Sequence, residues 1–181
     1  MNLDELAETR RSVRKYKAAD LSADEAKAKL TEMVDFARKN APSWKNSQTH
    51  RYRVALSAQK IAAVRDSLVE RNRTKCDNAI ALIVSSFVSG VAGFSAGVPD
   101  NELADGWGAY DLGLSDSLLI LKARELGLDT LIMGLRDEKS IRAALEIPET
   151  EKIVSVISVG VRADEVVSPP RKNIEEIAQF F

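Results

Sequence analysis

The sequence predicts a single α/β (α+β) domain, a sheet flanked by helices. Three observations predict it. Segments with helical periodicity alternate, irregularly, with short apolar or alternating segments of strand length. The run Ala79–Val84 is apolar throughout, as in a central strand covered on both faces. The chain has 181 residues, 45% hydrophobic and 29% charged. A chain of that size buries roughly 70% of its unfolded surface and needs no staples.

The elements follow in order. Leu3 to about Arg11 reads as a short helix with Leu3, Leu6 and Ala7 on one face. Ser22–Lys39 is a helix opened by a Ser22/Glu25 capping box, with Leu21 and Ala26 placed as a staple. Leu30, Met33, Val34 and Ala37 continue its apolar face, and Pro42 lies beyond its end. Tyr52, Val54 and Leu56 mark a strand, and Gln59–Asn72 a helix with Ile61, Val64 and Leu68 inward. Asn78–Phe87 is a strand, followed by a loop punctuated by Gly90, Gly93 and Gly97. Asp105–Leu126 is a long helix stopped by Gly127. Then come a strand at Thr130–Met133, a helix at Asp137–Leu145 and a strand at Lys152–Val161. Residues 1–164 are expected to form the domain and 165–181 an extension. The extension opens with Pro169-Pro170 and ends with apolar Ile174, Ile177, Phe180 and Phe181, so it needs a surface to dock on.

Composition narrows the chemistry. Lys plus Arg is 26 against 27 acids, which speaks against a nucleic-acid or membrane-surface protein. The first ten residues carry three acids and no apolar run, unlike a signal or transit peptide. The single Cys76 fits a reducing compartment, and the expectation is a cytoplasmic protein. One cysteine and one histidine make a zinc site improbable, and no metal is expected. No Gly-x-Ser-x-Gly elbow, Gly-x-Gly-x-x-Gly or Walker sequence is present. With so few side chains suited to acid–base or nucleophilic work, a cofactor is expected to carry the chemistry.

Four segments could build its site. Arg10-Arg11-Ser12-Val13-Arg14 opens a stretch to Lys17 with five cations and no acid. In a helix Arg10 and Arg14 share a face; in a strand Arg10, Ser12 and Arg14 do. Either places two guanidinium forks together, suited to a phosphate monoester. The competing reading is a solvated cationic face paired with Glu5 or Glu8. Pro42-Ser43-Trp44-Lys45-Asn46-Ser47-Gln48 is dense in amides and hydroxyls, fit either to read a heteroaromatic edge or simply to make a turn. Gly127-Leu128-Asp129-Thr130-Leu131-Ile132-Met133-Gly134 is either an ordinary helix–strand connection or a short apolar strand closed by a glycine that admits a ligand. Arg171-Lys172 adds positive charge or is a surface pair. His50 reads as structural and Cys76 as a passive thiol.

Taken together and in this order, the segments resemble the nitroreductase family of FMN-dependent oxidoreductases, at the short end of its lengths. Arg10–Arg14 looks like the family's N-terminal signature and Pro42–Gln48 like its second motif. Thr49-His50 stands where that motif usually continues Pro-Trp. Trp107–Thr130 is similar to the central helix and following strand, and Arg171–Ile177 to the C-terminal basic motif. The resemblance implies an interwoven homodimer, with residues 165–181 packed on the partner subunit. It implies that Arg10, Ser12 and Arg14, with Arg171 or Lys172, hold the FMN phosphate and ribityl chain, Arg11 adding backbone contacts. Pro42, Ser43, Asn46 and Gln48 would flank the flavin ring, often from the other subunit. Leu131, Ile132, Met133 and Gly134 would line it through backbone groups, and Arg71, Arg73 or Lys75 would approach its pyrimidine side. The implied activity is hydride transfer from NADH or NADPH through FMN to a nitroaromatic, quinone or similar flat small-molecule acceptor, with no catalytic side chain. Another flavin redox task on the same scaffold, or flavin binding without catalysis, are the alternatives.

Overall fold

The apolar run that begins at Ala79 does become the inner strand of a sheet covered on both faces. A computed structural model describes residues 2–181, and Met1, first residue of the acidic amino-terminal stretch, lies outside the described residues. The strands are β1 (Tyr16–Lys17), β2 (His50–Ala55), β3 (Ala81–Val88), β4 (Phe94–Ser95), β5 (Val98–Pro99), β6 (Asp129–Met133) and β7 (Glu151–Arg162). The helices are α1 (Leu3–Thr9), α2 (Ala23–Asn40), α3 (Ala58–Asp66), α4 (Glu70–Arg73), α5 (Gly106–Glu125) and α6 (Glu138–Leu145). β2, β3, β7 and β6 lie side by side, and β1 pairs with the end of β7; each of these pairings is antiparallel. β4 and β5 make a separate small hairpin.

Strand alternation sorts the core into two layers. Ala81 and Ile83 of β3 pack with Leu30, Met33 and Ala37 of α2 and Leu119 and Ala123 of α5. Leu82 and Val84 point the other way, into Val64 of α3, Ile141 of α6 and Leu131 and Met133 of β6. One irregularity adjusts β7. Ser85 pairs with Ser155 but Ser86 with Ile153, so Val154 is a bulge. The extra residue lets Ile153 and Val156 face the same layer although they are three apart.

Helix ends follow local chemistry. Ser22 and Glu25 form the reciprocal capping box, and Gly127 takes φ +78° just past α5. The expected helix 59–72 is instead two helices. At Ser67–Val69 the chain leaves helical geometry to pair with the segment after β6: Val69 N–H donates to Leu135 O and Asp137 N–H to Ser67 O. Leu68 still faces the core, so the apolar spacing conceals the break. The first helix ends at Thr9 rather than Arg11. β1 and the β4–β5 hairpin are too short to show a period. Beyond Arg162 the only regular turn among the described residues is Ile174–Glu176, and Ile174, Ile177, Phe180 and Phe181 are exposed.

A polar row interrupts the layer under α5. Tyr52, Ser85 and Ser155 are register neighbours on β2, β3 and β7. Buried Asp116 of α5 sits over them, accepting from Ser85 Oγ at 2.8 and 2.9 Å and from the Tyr52 hydroxyl at 3.0 Å. Burial pushes the Asp116 carboxyl up to about 6, against the pull of those hydrogen bonds.

Candidate functional site

The cationic segment runs along an open edge of the sheet. α1 stops at Thr9, Arg10 turns extended, and Ser12 forms a parallel bridge with Thr130 of β6. Val13 N–H donates to Thr130 O at 3.0 Å. By the two-residue period, Ile132 and Gly134 face that same edge, and no strand among the described residues lies beyond them. Leu131 and Met133 are buried in the core, so only their backbone is available there. Ile132 is 48% exposed, and a Cβ added at Gly134 would meet nothing within 4 Å.

Arg171 returns to this edge from the tail. With Ala7, Glu8, Arg11 and Ser168 it lines a hollow beside α1. Burial, and then the charges of Arg11 and Arg171, lower the pKa of Arg10. The three cations are therefore close enough to repel. None of Arg10, Arg11, Arg14, Arg171 and Lys172 forms an ion pair among the described residues. The pairing with Glu5 or Glu8 is thus not formed; the Glu5 carboxylate instead accepts from Asn2 N–H to close a capping box. Arg14 donates to the Ser12 carbonyl at 3.1 Å, and Lys172 is exposed.

α4 adjoins the exit of β6 through the Leu68–Arg136 bridge. Of its three candidate cations, Arg73 donates to Leu68 O at 2.8 Å and half-buried Lys75 to Asn72 Oδ1 at 2.9 Å, while Arg71 is exposed. Sequence reasoning missed Asn72, which is buried. Its signal was present: Ile61, Val64, Leu68 and residue 72 continue one helical stripe, and a polar residue on a buried stripe asks for a reason.

The amide-rich loop lies elsewhere. Trp44–Asn46 form a 3₁₀ turn whose Trp44 N–H donates to buried Asp111 of α5 at 2.8 Å. The Trp44 ring packs on Trp107 with centroids 4.6 Å apart. Lys45 Nζ reaches Ser95 Oγ and Asp100 Oδ2 on and beside the small hairpin. Ser43 Oγ accepts from Gln48 N–H, and Gln48 Nε2 donates to Asn46 Oδ1. Lys45, Asn46 and Gln48 adopt φ of +48°, +55° and +48°. Such left-handed residues are held against local preference by the surroundings. Pro42, Asn46 and Gln48 stay exposed. This loop feeds β2, three strands away from β6 and so about 14 Å across the sheet.

The structure therefore brings together Arg10, Arg11, Ser12, Arg14 and Arg171 with the edge at Leu131–Gly134. It leaves Pro42, Ser43, Asn46 and Gln48 at the opposite edge of the same chain. Burial holds the His50 pKa low and pushes the Cys76 thiol up to about 11, as befits structural residues. Among the described residues no group of three or more His, Cys, Asp or Glu could hold a metal ion, and no helix is long and apolar enough to cross a membrane.

Comparison with known proteins agrees with this architecture. The model of the nitroreductase family matches residues 94–161. A nitroreductase family protein from Streptococcus pneumoniae superposes with a TM-score of 0.84 at 18% identity, covering 99% of this chain and 100% of that one. A structure from Exiguobacterium sibiricum, assigned as a nitroreductase and solved in complex with FMN, gives 0.85 at 22% identity, covering 100% and 98%. A Staphylococcus epidermidis structure assigned as an NAD(P)H:FMN oxidoreductase gives 0.80 at 18%, covering 99% and 96%. No curated protein matches the sequence.

Proposed function

We propose that this chain, which has the nitroreductase fold and matches the family model over residues 94–161, is an FMN-dependent oxidoreductase. It would use NADH or NADPH to reduce a nitroaromatic, quinone or similar flat acceptor. The observation that carries the reading is the unpaired cluster of Arg10, Arg11 and Arg171 beside an open strand edge. Like charges gathered with no ion pair formed among the described residues, Glu8 in the same hollow included, fit a dianion such as a phosphate monoester. The donor set suits FMN in a second respect, since a strand edge offers both N–H and C=O to a heteroaromatic rim.

Within this reading the guanidinium groups of Arg10, Arg14 and Arg171 bind the phosphate, with the Ser12 hydroxyl beside them and Arg11 contributing backbone. Ile132 and Gly134 present their backbone groups to the ring edge, and the lack of a side chain at Gly134 keeps that approach open. One of Arg71, Arg73 and Lys75, the last held by Asn72, would bring a positive charge to the ring. Such a charge would stabilise the anionic reduced form of a bound flavin. A bound FMN would supply the hydride chemistry, accepting from the nicotinamide and donating to the acceptor in separate half-reactions. Pro42, Ser43, Asn46 and Gln48 cannot reach the same ring from within one chain, so a second copy would bring its loop to the open edge. That argues for a homodimer, and the exposed apolar tail at residues 174–181 is suited to bury itself against the partner.

The test is the visible spectrum of the purified protein, before and after anaerobic addition of NADH and NADPH. A yellow protein that bleaches, and recovers with a quinone or nitroaromatic, is the expected result. A colourless protein that also refuses added FMN would overturn the reading.

A further inference from the structure

Where α1 ends, a buried ion network stands directly behind the cationic segment. Asp129, the first residue of β6, has a side chain only 2% exposed. It accepts from the Arg162 backbone N–H at 3.2 Å, from Arg162 Nε at 2.9 Å and from Arg162 Nη2 at 2.5 Å. Arg124 of α5 stands 3.7 Å away. Both arginines also grip Thr9: Arg162 Nη2 donates to the Thr9 carbonyl at 3.0 Å, and Arg124 Nε to Thr9 Oγ1 at 3.2 Å. Thr9 is the residue before Arg10. Arg162 Nη1 additionally meets exposed Glu165 at 3.4 Å.

We propose that Asp129 is a positioning residue for the phosphate site: acting through Arg162 and Arg124, it holds Thr9 and thereby sets the course of Arg10–Ser12 along β6. The inference rests on the reading of Arg10, Arg14 and Arg171 as phosphate ligands. Asp129 and Thr130 are consecutive, and between them they fasten the segment at both ends. Asp129 does so through the arginines at Thr9, and Thr130 through its carbonyl at Val13. Arg10, Arg11 and Ser12 lie between two fixed points. A buried ion pair of this kind adds little net stability over a well-packed apolar replacement, so geometry is the better account of its presence. The geometry matters because Arg10 sits among the like charges of Arg11 and Arg171. Without an anchored backbone the three would move apart, and phosphate binding would have to gather them again.

The experiment compares FMN with riboflavin, which has the same ring and polyol but no phosphate. Flavin-stripped full-length protein is titrated with each, for the unchanged sequence, Asp129→Asn and the milder Thr9→Val. Thermal unfolding is recorded in parallel. FMN affinity is expected to fall about tenfold in Asp129→Asn, the scale of one charge-assisted hydrogen bond lost. It is expected to fall about threefold in Thr9→Val, which removes the Arg124 contact but leaves the Arg162 bond to the Thr9 carbonyl. Riboflavin affinity changes by less than about twofold in either. An equal loss for both flavins would show general loosening and overturn the proposal, as would no loss for either. If Asp129→Asn fails to fold, Thr9→Val decides alone. If the unchanged protein binds FMN no better than riboflavin, the phosphate reading itself falls, and this inference with it.

Discussion

Asp116 gives a test of how the core was built. Replacing it with asparagine keeps the shape and leaves partners for Ser85 and Tyr52, but removes a charge that the site disfavours. The sign can be worked out directly. Below pH 3.8 the carboxyl is protonated in both folded and unfolded chains, so its ionisation costs nothing. Between 3.8 and about 6 the unfolded chain ionises while the folded one keeps its proton, so stability is lost as pH rises. The full gap corresponds to about 3 kcal/mol. The advantage of Asp116→Asn over the unchanged protein should therefore climb by roughly 2.5 kcal/mol from pH 4 to pH 7, most of the full gap, and then level off. Urea denaturation of both proteins across that range measures it, and taking the difference cancels the other titrating groups. A flat or falling difference would refute the argument that burial, rather than hydrogen bonding, governs this carboxyl.

Four other substitutions probe separate parts. Gly108→Ala would put a Cβ about 2.5 Å from Phe87 Cε2, so α5 could not keep its seat on β3. A cost of about 1–3 kcal/mol is expected, with partial recovery when Phe87→Leu is added, read by chemical denaturation. Ser22→Ala removes the capping box of α2 and should cost about 1 kcal/mol in the same assay. Gly93→Ala combines φ +82° with a Cβ 2.7 Å from the Ala104 carbonyl oxygen; a drop of several degrees in melting temperature is expected. Arg171→Ala should weaken FMN but not riboflavin in an equilibrium titration, and equal affinity for FMN before and after the change would remove Arg171 from the phosphate site.

Much of this protein could be read along the chain, and the parts that could not share a cause. α2 was legible because it carries its own start, stop and apolar face over five turns, and α5 because a long proline-free run ends at Gly127. β3 was legible because its first half, Ala81–Val84, is buried on both sides and apolar at each position, although Ser85 and Ser86 then interrupt the run. The break at Ser67–Val69 was hidden because Leu68 satisfies helical spacing while its backbone pairs with a distant segment. β1 was hidden because two residues carry no period, and only pairing with Val161 and Arg162 makes them a strand.

The candidate site divides the same way. Guanidinium, amide and glycine chemistry is a property of residue type, so the four candidate segments stood out without coordinates. Their arrangement is not. Sheet order puts Arg10–Arg14 beside Leu131–Gly134 and sends Pro42–Gln48 to the other edge. The recruitment of Arg171 to Arg10 and the Asp129 network behind Thr9 join residues up to 161 positions apart in the chain. Local sequence determined which elements form and what chemistry each carries, because helix caps, periods and donor sets act over a few residues. Tertiary structure alone decided which of those chemistries meet, because that depends on strand pairing and burial between segments that do not influence one another until the chain has folded.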